Sequence, residues 1–76
     1  MIEDSLRSET EKWLKKIKKE KIELLDKNKK DFEKNIRSYI SDSEHFLEKK
    51  DLIRAFEAVV WAWAWLEIGR ELGVLK

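Results

Sequence analysis

Few side chains in this sequence are of the types that carry out chemistry, and its histidine is the first to consider. His45 is the only histidine among the 76 residues, and Asp42 stands three positions before it. That spacing puts both side chains on one face of a helix, where they could share a metal ion. Zinc takes at least three protein ligands, and His45 falls on the polar side of its predicted helix. We therefore predict a solvated surface histidine and no metal site.

Three glutamates, Glu57, Glu67 and Glu71, fall near one edge of a single predicted helix. Paired carboxylates carry out acid–base catalysis when one of them is removed from water. A solvated border fits these three better, because glutamate is rarely buried. Arg70 lies in line with the apolar face of the same helix. A bound anion would explain it, but we favour an arginine that reaches solvent past the end of the bundle or pairs with an acid.

The motifs of the common enzyme classes are missing from the sequence. It contains no cysteine, so it offers no thiol nucleophile and no Cys-bound zinc. It also lacks a glycine-rich phosphate loop, a nucleophile elbow and a cluster of metal ligands. We predict a protein that is not an enzyme and that uses no cofactor.

Lysine gives the strongest polar signal. Residues 12–34 carry ten lysines and five acids, a net charge of +5. Four of these lysines recur at helical spacing and form one basic face: Lys12, Lys15, Lys16 and Lys19. Such a face can neutralise the phosphates of a nucleic acid without reading its sequence. However, Trp13 and Ile17 are expected to be buried, which leaves no aromatic platform for stacking bases. Nucleic-acid binding is therefore the alternative function, not the leading one.

The composition indicates that helices position these side chains. The sequence has no proline and two glycines, which is typical of helices joined by short turns and not of a β fold. Charged residues make up 43% of it. A charged composition poor in Asn, Gln and Cys is common in proteins from hot environments, although a highly solvated helical surface gives the same signal. No secretory signal is evident, so we expect a cytoplasmic protein.

The remaining residues are organised around the third predicted helix, at about 52–72. Its residues 58–66 contain no polar side chain and three of the four tryptophans. One face carries a conventional core stripe: Leu52, Ala55, Phe56, Val59, Ala62, Trp63 and Leu66. A second apolar stripe lies roughly opposite: Trp61, Trp65, Ile68 and Leu72. Nine apolar residues are too few to span a bilayer, which needs about 20, so we predict a core helix and no membrane contact.

Two further helices precede it, at about 5–21 and 29–49. Ser5 or Ser8 is expected to cap the first, and Asn28 or Asp31 the second. Between them we expect an apolar connector of Ile22, Leu24 and Leu25, although a single fused helix is also compatible with the sequence. Asp51 is the expected cap of the third helix, Gly69 a tolerated small residue inside it, and Gly73 its C-terminal cap. Ser43 lies within the apolar face of the second helix, where a small residue allows the third to approach.

The prediction is an all-α fold: a small three-helix bundle built on an antiparallel hairpin of the second and third helices, with residues 1–76 forming one domain. The hairpin also resembles a known family. The matching residues are Tyr39, Ser41, Asp42, Ser43, Phe46, Leu47, Glu48, Lys49, Asp51, Arg54, Ala55, Phe56, Ala58, Ala62, Trp65, Leu66, Gly69, Leu72 and Gly73. This segment resembles short archaeal proteins of domain of unknown function family 357. Lys50 departs from them, since they usually carry a turn glycine there. The resemblance implies an archaeal source and a small helical fold, and it brings no activity.

The second apolar stripe leads to the functional prediction. Trp61, Trp65, Ile68 and Leu72 would form an exposed apolar patch of the kind that marks an interface. We predict a non-catalytic interaction or assembly module that pairs with a second copy, or with another protein, through these residues. The competing explanation is a monomer in which the first helix covers this side in a flat layer. We favour the homodimer, because the first helix offers only a short apolar stripe.

Overall fold

The computed structural model describes residues 2–76 and confirms the all-α, three-helix architecture. Helix α1 spans Ile2–Lys18, α2 spans Lys30–Glu48 and α3 spans Leu52–Glu71, with a 3₁₀ turn at Lys27–Lys29 before α2. Helices α2 and α3 begin and end within one residue of the predicted ranges and form an antiparallel hairpin. Within the described residues, no helix is both long enough and apolar enough to cross a bilayer.

Helix α1 begins and ends three residues earlier than predicted. Ser5 and Ser8 lie inside the helix, so the predicted capping role of either serine is wrong. Glu3 and Asp4 occupy the first turn instead, where carboxylates interact favourably with the positive end of the helix dipole. The helix ends at Lys18, and the amide of Lys19 donates to the carbonyl of Lys16 over 3.2 Å in a closing turn.

The connector between α1 and α2 is held by the C-terminal segment. The amide of Leu25 donates to the carbonyl of Val74 over 2.8 Å, and the amide of Lys76 donates to the carbonyl of Glu23 over 2.9 Å. Leu24 lies opposite Leu75 in an isolated antiparallel bridge. These bonds fix the connector as extended backbone, which rules out a fused first and second helix.

The apolar residues of this connector are only partly buried. Ile22 and Leu24 pack against the core as expected, whereas Leu25 is 54% exposed.

The N-terminal caps predicted for α2, Asn28 or Asp31, are wrong. Asp26 accepts a hydrogen bond from the amide of Asn28 over 2.9 Å and so caps the 3₁₀ turn. That turn leads directly into α2, and Lys29 at the N-cap supplies no side-chain bond.

Helix α3 lies between the other two helices. It packs against both α1 and α2, which make few contacts with each other. Its buried stripe is Ala55, Ala58, Val59, Ala62, Leu66 and Gly69. Ile17 of α1 and Ile36 of α2 pack into the same core and are almost fully buried. Burying a side chain of this size stabilises the fold by roughly 1.5–3 kcal/mol.

Two turns of the fold place a residue in the left-handed region of backbone space. Lys50, after α2, has a φ of 61°, and Gly73, after α3, has a φ of 73°. Each follows a helix C-cap, and at both sites the next amide reaches back to the helix, from Asp51 to the carbonyl of Phe46 and from Val74 to that of Gly69. This hydrogen-bonding pattern is the Schellman motif, in which glycine is favoured at the left-handed position. Gly73 therefore caps α3 as predicted.

Candidate interaction surface

Helix α3 turns one face away from both neighbouring helices. Seven large apolar side chains of the described residues are substantially exposed, and five of them lie on this helix or at its C-cap. These five define the α3 outer face: Ile53 at 67% exposure, Val60 at 47%, Trp61 at 54%, Ile68 at 46% and Leu72 at 66%. Helix α3 is apolar on all sides, and α1 and α2 cover two of them. The five exposed side chains lie on the side that neither helix covers.

The second apolar stripe predicted from the sequence falls partly on this face. Trp61, Ile68 and Leu72 lie on the α3 outer face, whereas Trp65 is half-buried against α2. The ring of Trp65 meets that of Phe32 nearly edge-on, with 5.0 Å between the ring centroids. Trp65 therefore belongs to the contact between α2 and α3, and only a small part of its side chain is exposed beside the outer face.

Trp61 is held in place although it is exposed. Its ring stacks on that of Tyr39 of α2 at an interplanar angle of 23° and a centroid distance of 6.4 Å. Aromatic pairs of this kind contribute about 0.5–1.5 kcal/mol beyond the area they bury. An aromatic side chain that is already oriented loses little conformational entropy when another surface covers it.

Helix α1 covers a different side of α3 from the one that the competing explanation required. The indole N–H of Trp63 donates to the backbone carbonyl of Trp13 over 3.2 Å, and the two rings meet edge-on at 5.8 Å. Beside this contact lies a shallow apolar cleft of about 340 Å³. Its lining residues are Trp13, Phe56, Val59, Val60, Trp63, Ala64 and Glu67. Helix α1 thus packs on the side of Trp63 and leaves Trp61 uncovered.

Charged residues of both signs border the α3 outer face. Arg54 lies at its N-terminal end, 3.6 Å from the carboxylate of Asp51 and above the ring of Phe46. Glu57, Glu67 and Glu71 are exposed along the rest of the helix. All three are solvated, as the sequence predicted, and Glu57 lies among the exposed apolar residues of the outer face. The start of the face therefore carries Arg54 with its partner Asp51, and carboxylates follow from Glu57 to its end.

The four lysines of the predicted basic face are exposed. Lys12, Lys15 and Lys16 lie on α1, and Lys19 follows its last residue. The ammonium groups of Lys12 and Lys16 lie over the ring of Trp13, at 5.7 and 4.7 Å from its centroid. Ile17 is buried as predicted, whereas Trp13 is only partly buried and lies beside these lysines. The lysine ammonium groups over its ring compete with a nucleic-acid base for that ring face.

The other polar candidates from the sequence are His45 with Asp42, and Arg70. His45 and Asp42 are both exposed, and residues 2–76 hold no group of three His, Cys, Asp or Glu side chains that could bind a metal ion. Arg70 pairs with Glu20 over 2.8 Å and also donates to the carbonyl of Lys76 over 3.1 Å. The acid-paired interpretation of Arg70 is thus confirmed, and the arginine ties α3 to the connector and to the C-terminal segment.

The sequence missed three residues of this surface. Ile53 and Val60 lie on the α3 outer face but were not included in the second stripe, and Tyr39 of α2 was not predicted to contribute to this surface. A helical wheel does place Ile53 and Val60 far from the buried stripe. The helical wheel could therefore have identified Ile53 and Val60 as exposed candidates. It identifies them with certainty only when the positions of α1 and α2 around α3 are known.

The family model described as "Protein of unknown function (DUF357)" matches residues 7–75. The chain belongs to this family. A crystal structure of a DUF357 protein from the archaeon Archaeoglobus fulgidus is 55% identical, with a TM-score of 0.91. The alignment covers 100% of this chain and 97% of the archaeal one. A search of curated proteins finds no match.

The turn at Lys50 has a backbone conformation that suits glycine. The sequence resemblance led us to expect a turn glycine at this position, and the φ of Lys50 is positive, a value that glycine adopts without steric cost. Lys50 nevertheless forms a Schellman turn, as the hydrogen bonds from Lys50 to Leu47 and from Asp51 to Phe46 show.

Proposed function

We propose that this protein is a non-catalytic helical module that assembles with a second copy of itself through the α3 outer face. The exposure of Ile53, Val60, Trp61, Ile68 and Leu72 on one side of one helix is the observation that supports it. Single exposed apolar residues are normal on protein surfaces, but a contiguous group of them is typical of an interface.

The type of residue at the centre of the face also supports an interface. Tryptophan and tyrosine are enriched among the residues that contribute most to protein–protein binding. Trp61 is stacked on Tyr39 and half exposed, so an incoming surface would bury a large side chain that is already ordered. The apolar cleft beside Trp63 continues the same surface toward α1.

A second copy of the chain fits the face better than a partner of one charge sign. The surface carries Arg54, with its partner Asp51, at one end and Glu71 at the other, and Glu57 lies among the apolar residues between them. A surface that carries both signs at opposite ends can complement itself under two-fold symmetry, which is the commonest symmetry of soluble oligomers. A strongly basic or acidic partner would meet repulsion at one end.

Binding of nucleic acid through α1 is the second candidate. Lys12, Lys15, Lys16 and Lys19 are all exposed, and in the described part of the chain none of them pairs with an acid. Their charge is therefore free to meet phosphate. Because the lysines compete for the ring of Trp13, this candidate rests on contacts with the phosphate backbone, which carry no sequence information.

Sedimentation equilibrium of the purified protein tests self-association. We expect the wild-type mass to approach twice the chain mass of 9.2 kDa as the concentration rises into the high micromolar range. Trp61→Glu combined with Ile68→Glu should sediment as a folded monomer, because each glutamate would have to lose its water in the interface.

A matched control adds the same charge elsewhere. Ser38→Glu combined with Ser41→Glu places two acids on exposed positions of α2, outside the proposed interface, and should leave the dimer intact. A wild-type protein that remains a monomer at these concentrations contradicts self-association and leaves the outer face to a different protein.

A further inference from the structure

We infer that the second copy packs across both helices of the α2–α3 hairpin, on the edge of the α3 outer face that adjoins α2 and not on the edge that adjoins α1. This inference rests on the proposed self-association and specifies which surface the two copies share. It comes from a row of partly exposed aromatic side chains that joins α2 to α3.

Five aromatic side chains form this aromatic row along the hairpin, and none of them is fully buried: Phe32, Tyr39, Phe46, Trp61 and Trp65. Two of the three α2 rings contact the α3 tryptophans directly. At the turn end of the row, the guanidinium carbon of Arg54 lies 5.9 Å from the ring centroid of Phe46. Ile68 and Leu72 continue the exposed apolar surface along α3, one and two turns after Trp65.

The size of a stable interface requires more surface than α3 alone provides. A standard interface engages about 20–30 residues on each partner. From Ile53 to Leu72, only nine residues are exposed, so contacts with this helix alone fall well short of that size. The interface must therefore extend onto a neighbouring helix, either α1 or α2.

Charged groups surround the aromatic residues at the α1 edge. The apolar cleft there is lined in part by Glu67, and the indole N–H of Trp13 donates to the carboxylate of Glu9 over 3.1 Å. The ammonium groups of Lys12 and Lys16 lie over the ring of Trp13. A second copy that covered this edge would remove these charges from water, which costs free energy unless each of them finds a partner.

At the α2 edge the charges lie beside the aromatic row and not on its central rings. Tyr39 and Trp61 stack on each other, and within residues 2–76 the cations that lie over a ring are found at Trp13 and Phe46. Asp42 is one turn after Tyr39 and is exposed, so its carboxylate can stay in water at the rim of an interface. The α2 edge therefore buries apolar surface at a lower cost than the α1 edge.

Both helices of the hairpin repeat apolar residues at the spacing of a four-helix bundle. On α2, the aromatic row recurs every seven residues. On α3, apolar residues recur at intervals of four, three and four: Trp61, Trp65, Ile68 and Leu72. Stripes of this period are the contact surfaces of helices packed side by side in such bundles. Two hairpins facing each other through these stripes supply four helices, which is why a second copy suits this surface.

Two single variants distinguish the edges by sedimentation equilibrium. Tyr39→Glu places a carboxylate within the aromatic row, and Val60→Glu places the same group at the α1 edge, where Val60 lines the cleft and is 47% exposed. We expect Tyr39→Glu to raise the dissociation constant of the dimer by about tenfold or more, because the carboxylate would be buried without a partner. Val60→Glu should change it by less than about threefold.

A third variant tests the α2 edge without removing an aromatic ring. Asn35 is partly buried one turn before Tyr39, and Asn35→Glu should also weaken the dimer. Circular dichroism confirms that each variant is folded. A dimer that survives both Tyr39→Glu and Asn35→Glu, or that Val60→Glu weakens as much as they do, overturns the inference while self-association stands.

The wild-type protein provides a readout that needs no substitution. In ¹⁵N-labelled protein, the indole N–H signal of Trp61 should shift between dilute and concentrated samples, whereas that of Trp13 should not. A shift of the Trp13 signal alone would place the second copy at the α1 edge and overturn the inference. If the wild type sediments as a monomer at high micromolar concentration, the proposed function itself fails, and the shared surface fails with it.

Discussion

The hydroxyl of Ser43 donates a 2.7 Å hydrogen bond to the backbone carbonyl of Ala55, and both residues are fully buried. Two small side chains therefore meet where α2 packs against α3. Ser43→Leu should overpack the crossing and lower the free energy of unfolding by about 1–3 kcal/mol. Urea unfolding followed by tryptophan fluorescence measures the change.

Ser43→Ala is the matched control, because it removes the hydroxyl without adding volume. It should cost about 1 kcal/mol, the net value of a typical hydrogen bond. If Ser43→Leu unfolds at the wild-type urea concentration, the crossing is not as close as the buried hydroxyl indicates.

A substitution in the turn after α2 is predicted to stabilise the protein. Lys50 holds a φ of 61°, a conformation that costs a residue with a Cβ atom about 1 kcal/mol or more relative to glycine. Lys50→Gly should therefore raise the free energy of unfolding by about 1 kcal/mol, partly offset by the greater entropy of glycine in the unfolded chain. The midpoint of thermal unfolding checks the direction.

The neighbouring residue is the natural comparison for this change. Lys49 is the C-cap of α2 and has right-handed geometry, with φ of −81°. Lys49→Gly should destabilise the protein, because glycine there gains nothing from its freedom. Equal effects at positions 49 and 50 would show that the left-handed conformation is not the cause.

Gly69 lies where the C-terminal segment enters the core. A Cβ atom on Gly69 would stand 2.6 Å from Cδ1 and 2.9 Å from Cγ of Leu75, which is 2% exposed. Leu75 must therefore move when Gly69 is replaced, and Gly69→Ala should cost about 1–3 kcal/mol. The sequence had marked this glycine as merely tolerated, and the close approach of Leu75 corrects that expectation.

A double-mutant cycle with Leu75→Ala isolates the contact. The smaller side chain makes room for the new methyl group, so the double variant should be more stable than the sum of the two single changes predicts. Additive effects would mean that Leu75 is not the residue that Gly69 accommodates.

The salt dependence of binding tests whether the lysine face of α1 binds nucleic acid. If it binds nucleic acid, the affinity for RNA or DNA should fall steeply as salt is raised, and Lys15→Glu with Lys19→Glu should abolish binding. Fluorescence anisotropy of a labelled oligonucleotide at two salt concentrations measures both effects. Lys34→Glu with Lys49→Glu makes the same change of charge at exposed positions outside α1 and should weaken binding less. No detectable binding at low salt removes this candidate.

Local signals in the sequence were sufficient for the hairpin. The small Ser43 within an apolar face and the Asp51 cap, whose carboxylate accepts a bond from the amide of Arg54, were both predicted and are present. The pairing of residues 23–25 with residues 74–76 was not predicted, because it joins distant parts of the chain and leaves no local pattern.

The candidate surface was predicted only in part for a related reason. Because α3 is apolar on all sides, periodicity shows that it must be covered but not which sides its neighbours take. Trp61, Ile68 and Leu72 were placed on the open side and lie there, whereas Trp65 turned out to meet Phe32 of α2. The start of α1 was harder still, since Ser5 and Ser8 fit inside a helix as readily as at its end.

The position of α3 between two helices that hardly touch has a consequence for the order of folding. The contacts of α2 with α3 are close in sequence, whereas Trp63 and Arg70 of α3 reach partners in α1 and the connector that lie 50 positions away. Closing a loop of that length costs entropy before it gains contacts, so the hairpin should assemble first and α1 should dock onto it afterwards. In native-state hydrogen exchange, α1 is then the unit that opens at the lowest free energy.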